Sequence, residues 1–105
     1  MPKYIQVVTT VDRREDATRI AQALVSKRAA ACVQVVGPVE STYRWEGALE
    51  TNEEWQCFIK TEKRHFTTVR KLISAMHPYE VPEIIALPIL QGSREYLGWI
   101  SEQVK

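Results

Sequence analysis

The sequence is short of cysteine, of clustered glycine and of any excess of one charge, and each shortage removes a class of protein. Two cysteines, Cys32 and Cys57, are too few for a disulfide framework, which makes a cytosolic protein with reduced thiols the simplest account. Four glycines stand singly, so there is no glycine-rich loop to cradle a phosphate. Net charge is +1, with basic and acidic residues interspersed, which favours neither nucleic acid nor an anionic membrane as a partner. No apolar run approaches the roughly 20 residues that span a bilayer, and the amino terminus enters a strand-like run without the layout of a signal peptide. The zinc spacings HxH, CxxC and HExxH are absent, as is any local signature of a Ser-His-Asp set. Enzymatic activity therefore has no motif to rest on, and neither does an organic cofactor.

What remains is a chain of 105 residues, 45% hydrophobic and 26% charged, the balance of one soluble globular domain spanning residues 1–105. Tyr4 to Thr10 reads as a first strand on the β-branched bulk of Ile5, Val7 and Val8. Asp12 with Glu15 has the spacing of a capping box, and Ala17, Ile20, Ala21, Leu24 and Val25 then recur at helical period. Lys27 and Arg28 follow, where cations suit the helix dipole. Cys32 to Val36 predicts a second strand, interrupted by Gly37-Pro38, which demands a bulge, a break or an edge position. Extended character resumes from Val39 to Trp45, Glu46-Gly47 has the makings of a tight turn, and Trp55 to Thr61 returns as a third strand. The polar stretch Glu50 to Glu54 suits either a loop or the exposed start of that strand. A second helical stripe, Phe66, Val69, Leu72, Ile73 and Met76, stops at His77-Pro78. Glu83 to Leu87 predicts a fourth strand closed by Pro88, and Ser93 an N-cap for a last helix carrying Leu97, Ile100 and Val104.

The order β-α-β-β-α-β plus a carboxyl-terminal helix is that of an α+β, ferredoxin-like split βαβ domain with an antiparallel sheet. Right-handed crossovers put both main helices on one face. The other face is open, while strands two and three alone carry Tyr43, Trp45, Trp55 and Phe58. Each aromatic can bury about 150–250 Å², more than so small a domain covers by itself. A contiguous apolar patch of this kind predicts an oligomer, unless the last helix, bringing Tyr96 and Trp99, roofs the face alone.

Function concentrates in His77 to Ile84, where Pro78 and Pro82 stiffen a connector that holds an imidazole, a phenol (Tyr79) and two carboxylates, Glu80 and Glu83. At a helix carboxyl end the dipole favours protonated His77, and protonation competes with metal binding. Cys32 and Cys57 fall on neighbouring strands. With the turn at 46–47, however, Cys32 lies opposite Thr61 and Cys57 opposite Val36, so small core hydrophobes describe them better than a redox pair. One thiolate with an imidazole would still make a soft metal site. Lys60, near the end of strand three, is a candidate for meeting an anion at a subunit boundary.

The segments Val8-Thr9-Thr10, Arg28 to Val33, Ser41 to Gly47, Ile59-Lys60-Thr61, His77 to Ile85 and Tyr96 to Ile100 together resemble the CutA-type divalent-cation tolerance proteins. The resemblance runs in family order over nearly the whole chain. It implies a cytoplasmic, non-catalytic homotrimer with a plan similar to PII-type signalling proteins, linked to tolerance of copper and other divalent cations. It implies His77 as a metal ligand, matches Cys32 to the family cysteine, and makes Cu(II) or another divalent cation the expected bound species. Where some members carry a second histidine and a first-strand cysteine, this chain has Met76 and Thr9; Met76 is a soft thioether donor suited to Cu(I). The PII likeness implies an alternative: a sensor binding a small anion in a cleft between subunits, lined by Lys60, Tyr79, Glu83 and Trp99.

Overall fold

The computed structural model describes residues 2–104. Strands β1 (Tyr4–Val11), β2 (Cys32–Trp45), β3 (Ala48–Glu62) and β4 (Ile85–Pro88) form one sheet in the order β2-β3-β1-β4. Every pairing in it is antiparallel. Helices α1 (Arg14–Ser26), α2 (Phe66–Met76) and α3 (Arg94–Gln103) complete the chain, with a single 3-10 turn, Lys63–His65, before α2. This is the α+β split βαβ order that the hydrophobic periods predict.

The core forms on one face of the sheet. Ile5, Val7 and Val11 of β1 with Cys57 and Ile59 of β3 meet Ala17, Ile20 and Leu24 of α1 and Val69 and Ile73 of α2. The apolar stripes of the two helices leave water against a single sheet face, the main favourable term in folding. On the opposite face, α3 buries Ile100 and Val104 against Ala31 and Tyr4. There the Tyr4 hydroxyl lies 2.7 Å from Ser101 Oγ, and Ser101 donates to buried Glu62. The last helix therefore roofs only the Tyr4–Glu62 end of that face. Val36, Ile85 and Leu87, together with Tyr96 and Trp99 on α3 itself, remain exposed.

Several boundaries differ from the sequence reading. Glu50 to Glu54 are strand, because the turn at Glu46-Gly47 is a two-residue hairpin with both residues at positive φ (51° and 82°), which matches strand twist and lets pairing begin at Trp45–Ala48. Gly37-Pro38 does not interrupt β2 but forms a bulge between Val36 and Val39. Its extra residue shifts the register, so Cys32 faces Lys60 rather than Thr61 and Cys57 faces Val35 rather than Val36. Glycine is required there: a Cβ at position 37 would fall on the indole of Trp55. The Asp12–Glu15 capping box does not form. Arg13 takes the N-cap position in extended conformation without a side-chain cap, and Glu15 and Asp16 lie in the first turn, where carboxylates suit the dipole. Lys27 and Arg28 fall just outside α1, Arg28 with φ 60°. Its guanidinium reaches the carbonyl of Gln103 at 3.3 Å, tying the end of α3 to the end of α1. β4 starts at Ile85, two residues later than predicted, since Glu83 is engaged elsewhere. Ser93 caps α3 as expected, its Oγ accepting from the Tyr96 amide.

Candidate functional site

The connector from His77 to Ile84 is fastened to the sheet by a chain of hydrogen bonds. α2 ends at Met76 because Pro78 cannot continue it and biases His77 to extended backbone, φ −76° and ψ 134°. That turn brings the imidazole against the end of β1. His77 Nε2 lies 2.9 Å from the Thr10 carbonyl, and the Tyr79 amide donates to His77 Nδ1 at 3.1 Å. An acceptor role for Nδ1 fixes the neutral tautomer, with Nε2–H donating to Thr10. The sequence expectation that the dipole would favour protonated His77 is therefore reversed. Burial lowers its pKa, outweighing the Thr10 carbonyl and the charges of Asp12, Asp16 and Glu54.

Tyr79 carries the chain onward. Its ring meets the imidazole edge-on, with centroids 4.8 Å apart, and its hydroxyl donates to Glu54 Oε2 on β3 at 2.6 Å. Burial, then the Glu54 bond and charge, raise the phenol's pKa, so it stays a neutral donor. Thr10 Oγ1 donates to Glu83 Oε1 at 3.1 Å, closing the connector from its far end. Between this connector and the β2–β3 hairpin lies a cleft of about 580 Å³, lined by Tyr43, Trp45, Glu54, Tyr79, Glu80 and Glu83 with Thr10, Ser41, Thr42 and Val81.

The residues singled out in the sequence divide between two ends of the sheet. His77, Tyr79 and Glu83 converge on Thr10. Cys32 and Lys60 face each other four β1 residues away, in the row of Gln6, roughly 13 Å along the strand. Lys60 Nζ donates to Gln34 Oε1 at 2.7 Å. Trp99 stacks against Tyr96, centroids 5.5 Å apart, and the Tyr96 phenol, its pKa raised by burial, neighbours Cys32. Within one chain, then, His77 and Cys32 do not share an ion, and Lys60 and Trp99 do not join Tyr79 and Glu83. Among the described residues no group of three or more His, Cys, Asp or Glu side chains is placed to hold a metal. Cys57 is a core residue; its thiol, pushed up to about 11 by burial, approaches the Ala17 carbonyl at 3.7 Å. Sequence reasoning passed over Glu54, Tyr43 and Trp45 as cleft residues. The readable signal was Glu54, a carboxylate directly preceding the apolar alternation of β3.

Comparison with known proteins agrees with the fold. The family model for the CutA1 divalent ion tolerance protein matches residues 5–103. The chain belongs to that family. The divalent-cation tolerance protein CutA of Thermus thermophilus is 46% identical over 96 residues, 91% of this chain and 93% of that protein. A solved structure described as the periplasmic divalent cation tolerance protein CutA of Archaeoglobus fulgidus superposes with a TM-score of 0.94 at 39% identity, covering 97% of this chain and 99% of that one. The chloroplastic protein CutA of Arabidopsis thaliana is 39% identical over 96% of this chain, which spans 56% of that longer relative. Among the described residues no helix is long and apolar enough to cross a membrane.

Proposed function

We propose that this CutA-family chain acts as a cytoplasmic homotrimer that takes up divalent cations, copper among them, weakly and without catalysis. Family membership over residues 5–103, with relatives named for divalent-cation tolerance, carries the reading. Three further observations support it. The half-roofed sheet leaves Val36, Ile85, Leu87, Tyr96 and Trp99 in water, a surface that sister chains would cover. Cys32 and Cys57 are unpaired thiols, as a reducing compartment requires. His77 is the one imidazole in the connector, and its two nitrogens are held only by backbone groups. A metal ion must displace the Tyr79 amide or the Thr10 carbonyl, each bond worth about 1 kcal/mol, which makes uptake weak and couples it to movement of the connector. A small-anion sensor would need its positive charge from a neighbouring subunit, since Lys60 lies at the other end of the sheet.

Calorimetric titration of Cu(II) into the wild type, His77→Ala and Cys32→Ala tests the ligands. The reading predicts weaker binding in His77→Ala; isotherms identical to wild type would remove His77 from the site.

A further inference from the structure

We propose that α3 is a strap that opens and closes as a unit on the far face of the sheet, with the buried carboxylate of Glu62 as its clasp, while the core beneath α1 and α2 stays closed. Ten residues are too few to hold a helix in water, so the order of α3 comes from docking. Its apolar hold is small: Ile100 and Val104 are buried with Ala31, and Tyr4 and Leu97 pack at their edge. α1 and α2, by contrast, share one continuous cluster of buried side chains with β1 and β3. A hinge is in place as well. The Ile89 amide still donates to the Tyr4 carbonyl at 2.9 Å, and after it Gln91-Gly92-Ser93 run exposed, outside any helix or strand.

The rest of the hold is polar and meets at Glu62, which is only 2% exposed. Its Oε2 accepts from Ser101 Oγ of α3 at 2.5 Å and lies 3.5 Å from Lys3 Nζ, while its Oε1 accepts from Arg64 Nε at 2.6 Å. Arg64 passes the tie on, donating from Nη2 to the Val104 carbonyl at the end of α3, and the Tyr4 hydroxyl bonds Ser101. His65, beside Arg64, feels the charges of both Arg64 and Glu62. Arg28 reaches the Gln103 carbonyl rather than the carboxylate. Undocking α3 takes Ser101 away from Glu62. Protonating Glu62 weakens the charge-assisted bonds from Ser101 and Arg64 and leaves Lys3, Arg64 and His65 without their counter-charge. Each event eases the other, so charge and docking are one equilibrium. Burial raises the carboxyl's pKa, but the Ser101 and Arg64 bonds and the Arg64 and Lys3 charges outweigh it and hold the docked group below 4.5, so acid favours the open strap. Opening uncovers Tyr4 and Ala31 and frees Tyr96 and Trp99, which changes the apolar surface offered to a sister chain; that consequence, unlike the strap itself, rests on the homotrimer reading.

The test is amide hydrogen exchange of the full chain, read by NMR at Ile100, Ser101 and Val104 and compared with Leu24, Ile59 and Ile73. The proposal predicts that α3 exchanges through an opening that leaves the core amides protected. After correction for intrinsic rates, that opening should grow as pH falls from about 7 to about 3. At neutral pH, Glu62→Gln removes the charge in a side chain of the same shape, and Ser101→Ala removes its partner hydroxyl. Each should speed α3 exchange about tenfold with the core amides unchanged. Circular dichroism reports whether the variants are folded, and the wild-type pH series stands without them. Exchange in α3 as slow as in the core, or protection that falls equally in both or in neither, would overturn the strap. Failure of the trimer would show in the sedimentation mass instead, so the two failures are distinct.

Discussion

At the scale of single residues, three side chains set the response to pH: His77 and His65, held neutral, and Glu62, held charged. His77 is held neutral by accepting from the Tyr79 amide and by burial, so its folded pKa lies below the ordinary 6.5. The folded state thus binds fewer protons than the unfolded one as pH falls through about 6.5, and stability declines from there downward. His65, lowered by burial and the Arg64 charge, adds a decline of the same sign. In urea denaturation between pH 7.5 and 5, His77→Ala should cost about 1 kcal/mol at the upper end and lose stability less steeply than the wild type. A slope equal to wild type would contradict the tautomer assignment. Glu62 acts with the same sign at lower pH, but through its charged form. Burial raises its pKa, but the Ser101 and Arg64 hydrogen bonds and the Arg64 and Lys3 charges outweigh that and hold it below 4.5. Its contribution is present above about 4.5 and disappears as pH falls through the lower folded value. Glu62→Gln should therefore cost about 1–3 kcal/mol at neutral pH, with the gap to wild type closing below pH 4.

At the scale of elements, the bulge in β2 carries the most information. Gly37→Ala sets a methyl against the Trp55 indole and should cost about 1–3 kcal/mol in thermal or chemical unfolding, altering Trp55 fluorescence as the ring moves. Wild-type stability in that variant would mean the bulge is pliable. The same feature marks where sequence reading stops. Alternation and the 3.6 period sufficed for the β-α-β-β-α-β order, for Ser93 as a cap and for the turn at Glu46-Gly47, because those are local preferences. The register of Cys32 was off by one because a bulge's extra residue is counted only when the partner strand is present. The capping box failed because Arg13, not Asp12, precedes the first helical residue. The site was legible to the same degree. Two prolines framed His77, Tyr79 and Glu83 on one short connector. Glu54 and Thr10 join them only through the β1–β3 pairing, while the β2–β3 pairing sets Cys32 beside Lys60 at the other end of the sheet and α3 carries Trp99.

At the scale of the whole molecule, the sheet has one face filled by α1 and α2 and another that α3 covers at one end only. The exposed Val36, Ile85, Leu87, Tyr96 and Trp99 make an apolar surface that a lone subunit leaves in water. Association stabilises by roughly 25 cal/mol for each Å² of such surface removed, less the cost of immobilising the partners. Charge does not oppose it, since the chain carries a net charge of only +1. A charged residue placed mid-face, as in Leu87→Asp, should shift the protein toward monomer while leaving the core beneath α1 and α2 intact, seen as retained circular dichroism with a smaller sedimentation coefficient. Sedimentation velocity of the wild-type chain at micromolar concentration tests the central claim most directly. The account predicts a species of three times the 12.1 kDa chain mass, and a single compact species at 12.1 kDa would contradict it.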